Sequence, residues 1–511
     1  MTATEGSTAP RTGTSGVVRG PGPGGRYPED APVAGHAAAR AAARAAAETV
    51  AELLRSPAHV AETAGRSYAT APDTLMLPGW QPASQLLGHA GIAMLHTALA
   101  GHDGRWAAVA HGHLAAAARA TAAAGPAGAG DLLVPARQAA AGGGYARLLA
   151  RAADVHASYA AARLRHLQER RATEGPGLSY LDYDAIAGLA RQGRGLLSAA
   201  AHGHDRSAEV LGGVLAHLVA LARPVRVYGT EVPGWWCAPE RYVVPRDREE
   251  FPRGDFNVGV AHGVCGPLAL LSLARLAGCW VPGMTGAIRT LSDWVRGKGQ
   301  VGPAGERWPG RVGFDEETGA AVLPVGARSR PGWCYGTAGT AWALHLAGRA
   351  LDDRTLTGRA SAAVRAVFLA LDAEVPGEDP GMCHGLAGLV RVGTRMAAVN
   401  GDPALAAAVA AAAHRLADGF DSRAAFGYRQ PVAHARGVVR IDAPGVIDGA
   451  AGVALALLAF ADASEGIDRA YGRCRTYGVD GARGTDGRGA LNGRGSSDAG
   501  ADGWDSAFLL C

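Results

Sequence analysis

The chain has 511 residues, 48% of them hydrophobic, and a net charge of +4 with acids and bases interspersed. That is enough apolar sequence for a large core, and there is no clustered basic stripe of the kind a nucleic-acid surface needs. Seven cysteines, an odd number without a CxxC pair, do not make a secreted disulfide framework. No run of about 18 uncharged apolar residues predicts a membrane span, and the N-terminus has no apolar signal-peptide core. A cytoplasmic protein with reduced cysteines is the expectation, and reduced cysteines leave thiolates available for a metal.

In chain order, residues 1–32 are rich in Gly, Pro, Ser and Thr and read as disordered. Residues 33–80 read as a helical N-terminal segment, strongest over 34–56, where helix formers dominate and the arginines predict a solvated face. From about residue 84 one grammar repeats: an apolar helical stretch opens on GxxG or a close variant. The openings are at Gly88, Gly188, His262, Gly336, His384 and Gly449, with plain helical stretches such as 360–374 between them. One motif helix plus one plain helix per interval predicts repeated helical hairpins, the pattern of solenoids and closed helical rings. Glycine lets neighbouring backbones approach closely. Inner helices whose N-termini converge would present free N–H groups and positive dipole ends. Residues 223–243 break the grammar and read as an irregular crossover. Residues 462–503 read as a low-complexity mobile insertion, and the apolar 504–511 as a segment that docks back.

Two motif openings carry chemistry. Cys334 precedes the glycine pair Gly336 and Gly339, and Cys383 and His384 precede Gly385 and Gly388. If the helix starts converge, two thiolates and one imidazole converge with them. Zinc takes four ligands, and three protein donors leave one position for water or substrate. Other candidates read as structural. Cys265 and Cys279 are inert buried thiols, and His89, His96, His345 and His414 are core or surface residues. Asp448 is a helix N-cap, and Trp235 and Trp236 pack the core.

The motifs WCYG (333–336), CHGLAG (383–388), AHGVCGP (261–267) and IDGAAGVALAL (447–457), with the closing WDSAFLL, together resemble the lanthionine synthetase C (LanC) cyclases. The resemblance spans residues 81–461 and keeps the family's motif order. It implies an all-α fold, an α/α toroid with inner and outer rings of about seven helices each. It implies one Zn2+ ion on Cys334, Cys383 and His384. It implies a lanthionine synthetase: peptide cysteine thiols add to dehydroalanine or dehydrobutyrine and close thioether rings. A free thiol has a pKa of about 8.5, and the thiolate is the nucleophile. Addition makes an enolate that must be protonated at the α-carbon. Family positions assign Asp184 of LDYDAIAGL as base or orienting group and His262 as proton donor or enolate stabiliser. Arg330 and Tyr335 would stabilise the enolate oxygen. Arg191 stands where the family has a glycine, which is expected to disturb the helix start beside Asp184.

The implied partners are a dehydrated precursor peptide and a dehydratase on a separate protein, since only about 80 residues precede the toroid. A membrane transporter complex is a further implied partner; nucleic acid is not. Two other readings keep the metal site: a LanC-like enzyme that adds glutathione to dehydrated peptides, and a non-catalytic zinc-stabilised scaffold that binds peptides. The presence of Asp184, His262 and Arg330 disfavours the scaffold, which would need only the metal ligands. A toroidal glycosidase would need a pair of carboxylic acids, and no such pair stands beside the motifs.

Overall fold

Helix formers, apolar periodicity and the glycine openings are laid out in space as two concentric rings. The computed structural model describes residues 31–70, 79–140, 143–303, 305–329, 331–371, 379–434, 437–463 and 503–510. The segments expected to be disordered, 1–32, and low in complexity, 462–503, lie almost wholly outside the described residues.

Helices α1 (Ala31–Leu53) and α2 (Pro57–Ala69) precede the first inner helix, α3 (His89–Ala100), which turns back into outer helix α4 (Arg105–Ala124). A short inner helix, α5 (Leu133–Ala139), leads to outer α6 (Ala146–Glu174). Inner α7 (Leu189–Ala201) and outer α8 (Asp205–Ala220) follow, then the short α9 (Pro245–Glu250). Inner α10 (Cys265–Leu276) pairs with outer α11 (Met284–Gly297), and α12 (Phe314–Glu317) is a single turn. Inner α13 (Thr337–Leu351), outer α14 (Arg354–Leu369), inner α15 (Leu386–Asn400), outer α16 (Pro403–Asp418) and inner α17 (Ala450–Asp462) complete the course.

The inner helices close a ring in which each packs on the next, from α3 through α5, α7, α10, α13 and α15 to α17, which packs back on α3. Helices α1, α4, α6, α8, α11, α14 and α16 lie outside it, so the α/α toroid has seven members in each ring among the described residues. Sequence sets the layer. Every residue of α17 is buried, as expected of a helix apolar all round. Outer α11 buries only the stripe Met284, Ala287, Ile288, Leu291, Ser292 and Val295. Helix α1 is an outer helix packed on α16 and α17. Its face is less solvated than its arginines suggested, because Arg44 pairs with the buried Asp462 of α17.

The two layers start differently. Outer helices α14 and α16 are capped by the side chains of Asp353 and Asp402. Five of the seven inner helices start on glycines with no side-chain cap, and α5 and α10 start on Leu132 and Val264, also without one. Their first N–H groups are nonetheless satisfied, by the loop that precedes each helix. In all six motif loops a helix-start N–H bonds the carbonyl seven residues before it, for example Leu386 to Asp379 at 2.9 Å and Ala450 to Ala443 at 2.9 Å. The expectation of free N–H groups at the converging ends is therefore corrected: loop carbonyls take them. The second glycine of each pair permits this fold-back. A Cβ on Gly339 would sit 2.0 Å from the Trp333 carbonyl oxygen, and one on Gly452 1.8 Å from that of Val446.

Successive loops are also stitched to one another. Ala185 N–H donates to Ala261 O, Ala261 to Cys334, Cys334 to Cys383, Cys383 to Ile447 and Ile447 to Leu86, at 2.8 to 3.2 Å. This belt of backbone bonds runs round the mouth of the inner ring. The loop before α5 has no GxxG motif, and there Asp131 bridges the gap. Its carboxylate accepts from Gln85 N at 3.0 Å and from Arg191 Nη2 at 2.6 Å. Arg191 thus closes the belt through Asp131, and α7 starts regularly at Gly188, contrary to the disturbance expected there.

Four two-stranded antiparallel pairs occur among the described residues, and the region read as an irregular crossover contains one, 225–227 with 230–232. The last described segment packs within the ring. Asp505 is fully buried and pairs with Arg391 and Arg395 of α15. The Trp333 indole N–H donates to Phe508 O at 3.0 Å, with the two rings edge-on at 4.9 Å.

Candidate active site

The belt brings the sequence-predicted residues to one arc of the mouth. Cys334 and Cys383 occupy belt positions, and His262, Tyr335, His384 and Asp448 each follow one directly. The donor atoms of Cys334, Cys383 and His384 lie within 4.8 Å of one another. Cys334 Sγ and His384 Nδ1 are 3.9 Å apart. Tetrahedral zinc places its donors roughly 3.5–3.8 Å apart, so this set fits the metal in chemistry and lies within about 1 Å of its spacing. The other imidazole nitrogen, Nε2, faces Asp379 Oδ2 at 3.1 Å. A carboxylate behind the ring is the usual support of a metal-binding histidine, because it sets the tautomer and orientation.

Charge within the cluster follows from these contacts. A hydrogen bond from Cys383, and after it those from His384, bring the Cys334 thiol down to about 5. Cys383, the partner that keeps the proton, is held well above the usual thiol value by the same bond and by burial. The bond to Cys334, aided by Asp379, pushes His384 up to about 9. These contacts favour a thiolate on Cys334 and a protonated His384 beside it. By contrast, burial pushes Cys265 up to about 12, in line with an inert thiol.

Across the mouth, His262 Nδ1 lies 2.6 Å from Asp184 Oδ2, with Asp184 fully buried and His262 29% exposed. Asp184 Oδ1 accepts the backbone N–H groups of Ile186, Ala187 and Gly188 at 3.0, 2.7 and 2.7 Å. A carboxylate only accepts, so His262 carries its proton on Nδ1 and turns Nε2 outward. Tyr180 packs on one side of His262, ring centroids 4.9 Å apart, and Tyr335 on the other at 6.3 Å. The Tyr335 hydroxyl accepts from Asn257 Nδ2 at 3.0 Å, and burial raises its pKa, so it stays protonated. Arg330 lies outside the described residues. His262, Tyr335, Cys334, Cys383 and His384 line one cavity of about 1110 Å³.

A family model described as "Lanthionine synthetase C-like protein" matches residues 79–467. The chain belongs to the lanthionine synthetase C-like family. The toroid is similar to that of a solved structure titled "Nisin cyclase", with a TM-score of 0.62 and 16% identity, covering 80% of this chain and 97% of that one. No curated protein sequence matches the chain. No helix among the described residues is long and apolar enough to cross a membrane.

Within this LanC-like toroid several residues escaped the sequence reading. Asp379 stands five residues before His384, and the general need of a metal-bound histidine for a carboxylate was the signal that could have found it. Asn257 and Tyr180 had no such signal, because only folding sets them against Tyr335 and His262. Asp448 is not the N-cap of α17, which is Gly449. It lines the cavity instead, and burial pushes its carboxyl up to about 6. Trp235 and Trp236 are core residues, and His89 and His96 are buried.

Proposed function

We propose that this chain is a zinc-dependent lanthipeptide cyclase, which adds a peptide cysteine thiol to dehydroalanine or dehydrobutyrine to form a thioether ring. One observation carries the reading: the Cys334, Cys383 and His384 donors face the same cavity as His262, which the buried Asp184 holds from behind. Zinc on the three donors would offer its fourth position to the peptide thiol and favour the thiolate at neutral pH. His262 Nε2, held outward by Asp184, accepts the thiol proton. The sulfur then forms a bond to the β-carbon, and the alkene electrons move onto the α-carbon and carbonyl oxygen as an enolate. Tyr335 donates its O–H to that oxygen, with Asn257 fixing the phenol. His262 returns its proton to the α-carbon, which completes the thioether with no net gain or loss of atoms. Asp184 is a positioning residue here rather than the base, because both of its oxygens are already engaged. The expected partners are a dehydrated precursor peptide and the dehydratase that supplies it, in the cytoplasm.

The test is to count alkylatable thiols by mass spectrometry after incubating zinc-loaded protein with a dehydrated Cys-containing peptide. Loss of free thiol with the wild type but not with Cys383→Ala is expected. Unchanged thiols with the zinc-loaded wild type overturn the reading.

A further inference from the structure

The cavity extends well beyond the reacting groups. From Cys334 and His262 it continues past Leu87 and Ile186, then opens beside the last turn of α4 and the middle of α6, between Ala120, Ala124 and Tyr159. Its volume of about 1110 Å³ exceeds the roughly 300–1,000 Å³ of a small-molecule pocket. The belt gives this arm its character. The register position that carries His262, Tyr335, His384 and Asp448 on one arc carries Leu87 and Ile186 on the other. The arm's charged lining residues, Asp131 and Arg191, are paired with each other at 2.6 Å, and Asp131 is held again by Gln85 N. Small alanines on one face of α4 leave the mouth wide.

We propose that this arm is the subsite for the peptide segment next to the reacting cysteine, and that it selects an aliphatic or aromatic side chain there. The inference rests on the cyclase reading and names its substrate class. It also separates peptide from glutathione, whose two carboxylates and ammonium group would meet an apolar wall and an ion pair that is already satisfied.

The probe is a pair of fluorescein-labelled heptapeptides with one central cysteine flanked by leucine or by asparagine, titrated against the zinc-loaded full-length protein. Burying one leucine side chain predicts at least about tenfold tighter binding of the leucine peptide. Ala124→Trp and, one turn away on the same face, Ala120→Phe are expected to fill the arm. Each should bring the leucine peptide to the affinity of the asparagine peptide while zinc content and Tm hold. In cyclisation of a leucine-flanked dehydrated peptide, KM should rise about tenfold in these variants with kcat unchanged. Equal affinity of the two peptides for the wild type overturns the proposal, as does a leucine preference that survives both variants. Competition by glutathione as effective as by the leucine peptide also overturns it. Failure of the cyclase reading shows separately, as peptide thiols left unconsumed, because the flank preference is read from binding without turnover.

Discussion

Asp184→Asn tests the division of labour between Asp184 and His262. The asparagine oxygen can keep the three backbone N–H bonds from Ile186, Ala187 and Gly188. Its amide nitrogen then lands on His262 Nδ1, where the carboxylate oxygen stood at 2.6 Å. An amide nitrogen only donates, so His262 must accept at Nδ1 and carry its proton on Nε2, facing the cavity. In that tautomer it cannot take the thiol proton. Losing one proton-transfer group costs about 10²–10⁴-fold in kcat. The fold loses far less, because three charge-assisted bonds become neutral ones, on the order of 1 kcal/mol each. Single-turnover cyclisation followed by thiol alkylation reads the rate, and a thermal melt reads the stability. A variant that melts within a few degrees of the wild type, binds zinc and still cyclises within about threefold of its kcat refutes the proton route through His262. Asp184→Ala is the contrasting case: it leaves three N–H groups without their acceptor at about 1–3 kcal/mol each, so α7 should lose its ordered start.

Other outcomes follow from the same contacts. Asp379→Asn weakens the support of His384 Nε2, so zinc affinity measured by chelator competition should fall about 10–100-fold; unchanged affinity removes Asp379 from the metal site. His89, His96 and His113 form a buried group in which His89 and His113 meet at 3.0 Å and His96 stacks on His113. Burial lowers all three, His89 to about 4 and His113 to about 3. Folded pKa values below the unfolded value of about 6.5 mean that the unfolded chain binds more protons. Their contribution is therefore whole above about pH 6.5 and is lost as pH falls toward 4, on the order of 2 kcal/mol at pH 5 for each of His89 and His113. Melts of zinc-free protein from pH 7 to 5 should show it, and a flat Tm refutes it. Arg191→Gly matches the second glycine of the other motif helices but leaves Asp131 with only the Gln85 N–H, so it should destabilise by about 1–3 kcal/mol; a denaturant midpoint at or above that of the wild type refutes the belt-closing role.

The inner ring was legible because glycine spacing reports backbone approach directly. Where a Cβ would strike a carbonyl at 2.0 Å, as at Gly339, no other residue fits, and the constraint leaves a mark in sequence. The seventh inner helix, α5, left no mark, because its loop meets its neighbours through the side chain of Asp131 instead. The convergence of Cys334, Cys383 and His384 was legible because they share a register with the glycine pairs. Asp379 and Asn257 act through tertiary contacts and carry no periodic signature. The paired strands were illegible for a related reason: most are three residues long, too short for an alternating pattern to show.

Arg191 shows why a local departure from a repeat has to be judged against the whole ring. Taken alone, an arginine in place of the second glycine should clash, since that position elsewhere packs against a carbonyl. Here the turn is set by Asp184 Oδ1, which gathers three N–H groups, and the side chain reaches across to Asp131. The same carboxylate that shapes this turn holds His262. The belt then fixes the spacing of the metal donors, because the Cys334 N–H bonds the carbonyl of Cys383 itself at 2.9 Å. Both halves of the site are thus spaced by bonds between backbone groups, which use none of the metal-donor atoms. The apo protein should therefore keep its fold, and metal loading should alter reactivity far more than helical content. A circular dichroism spectrum that collapses on chelation would contradict that account.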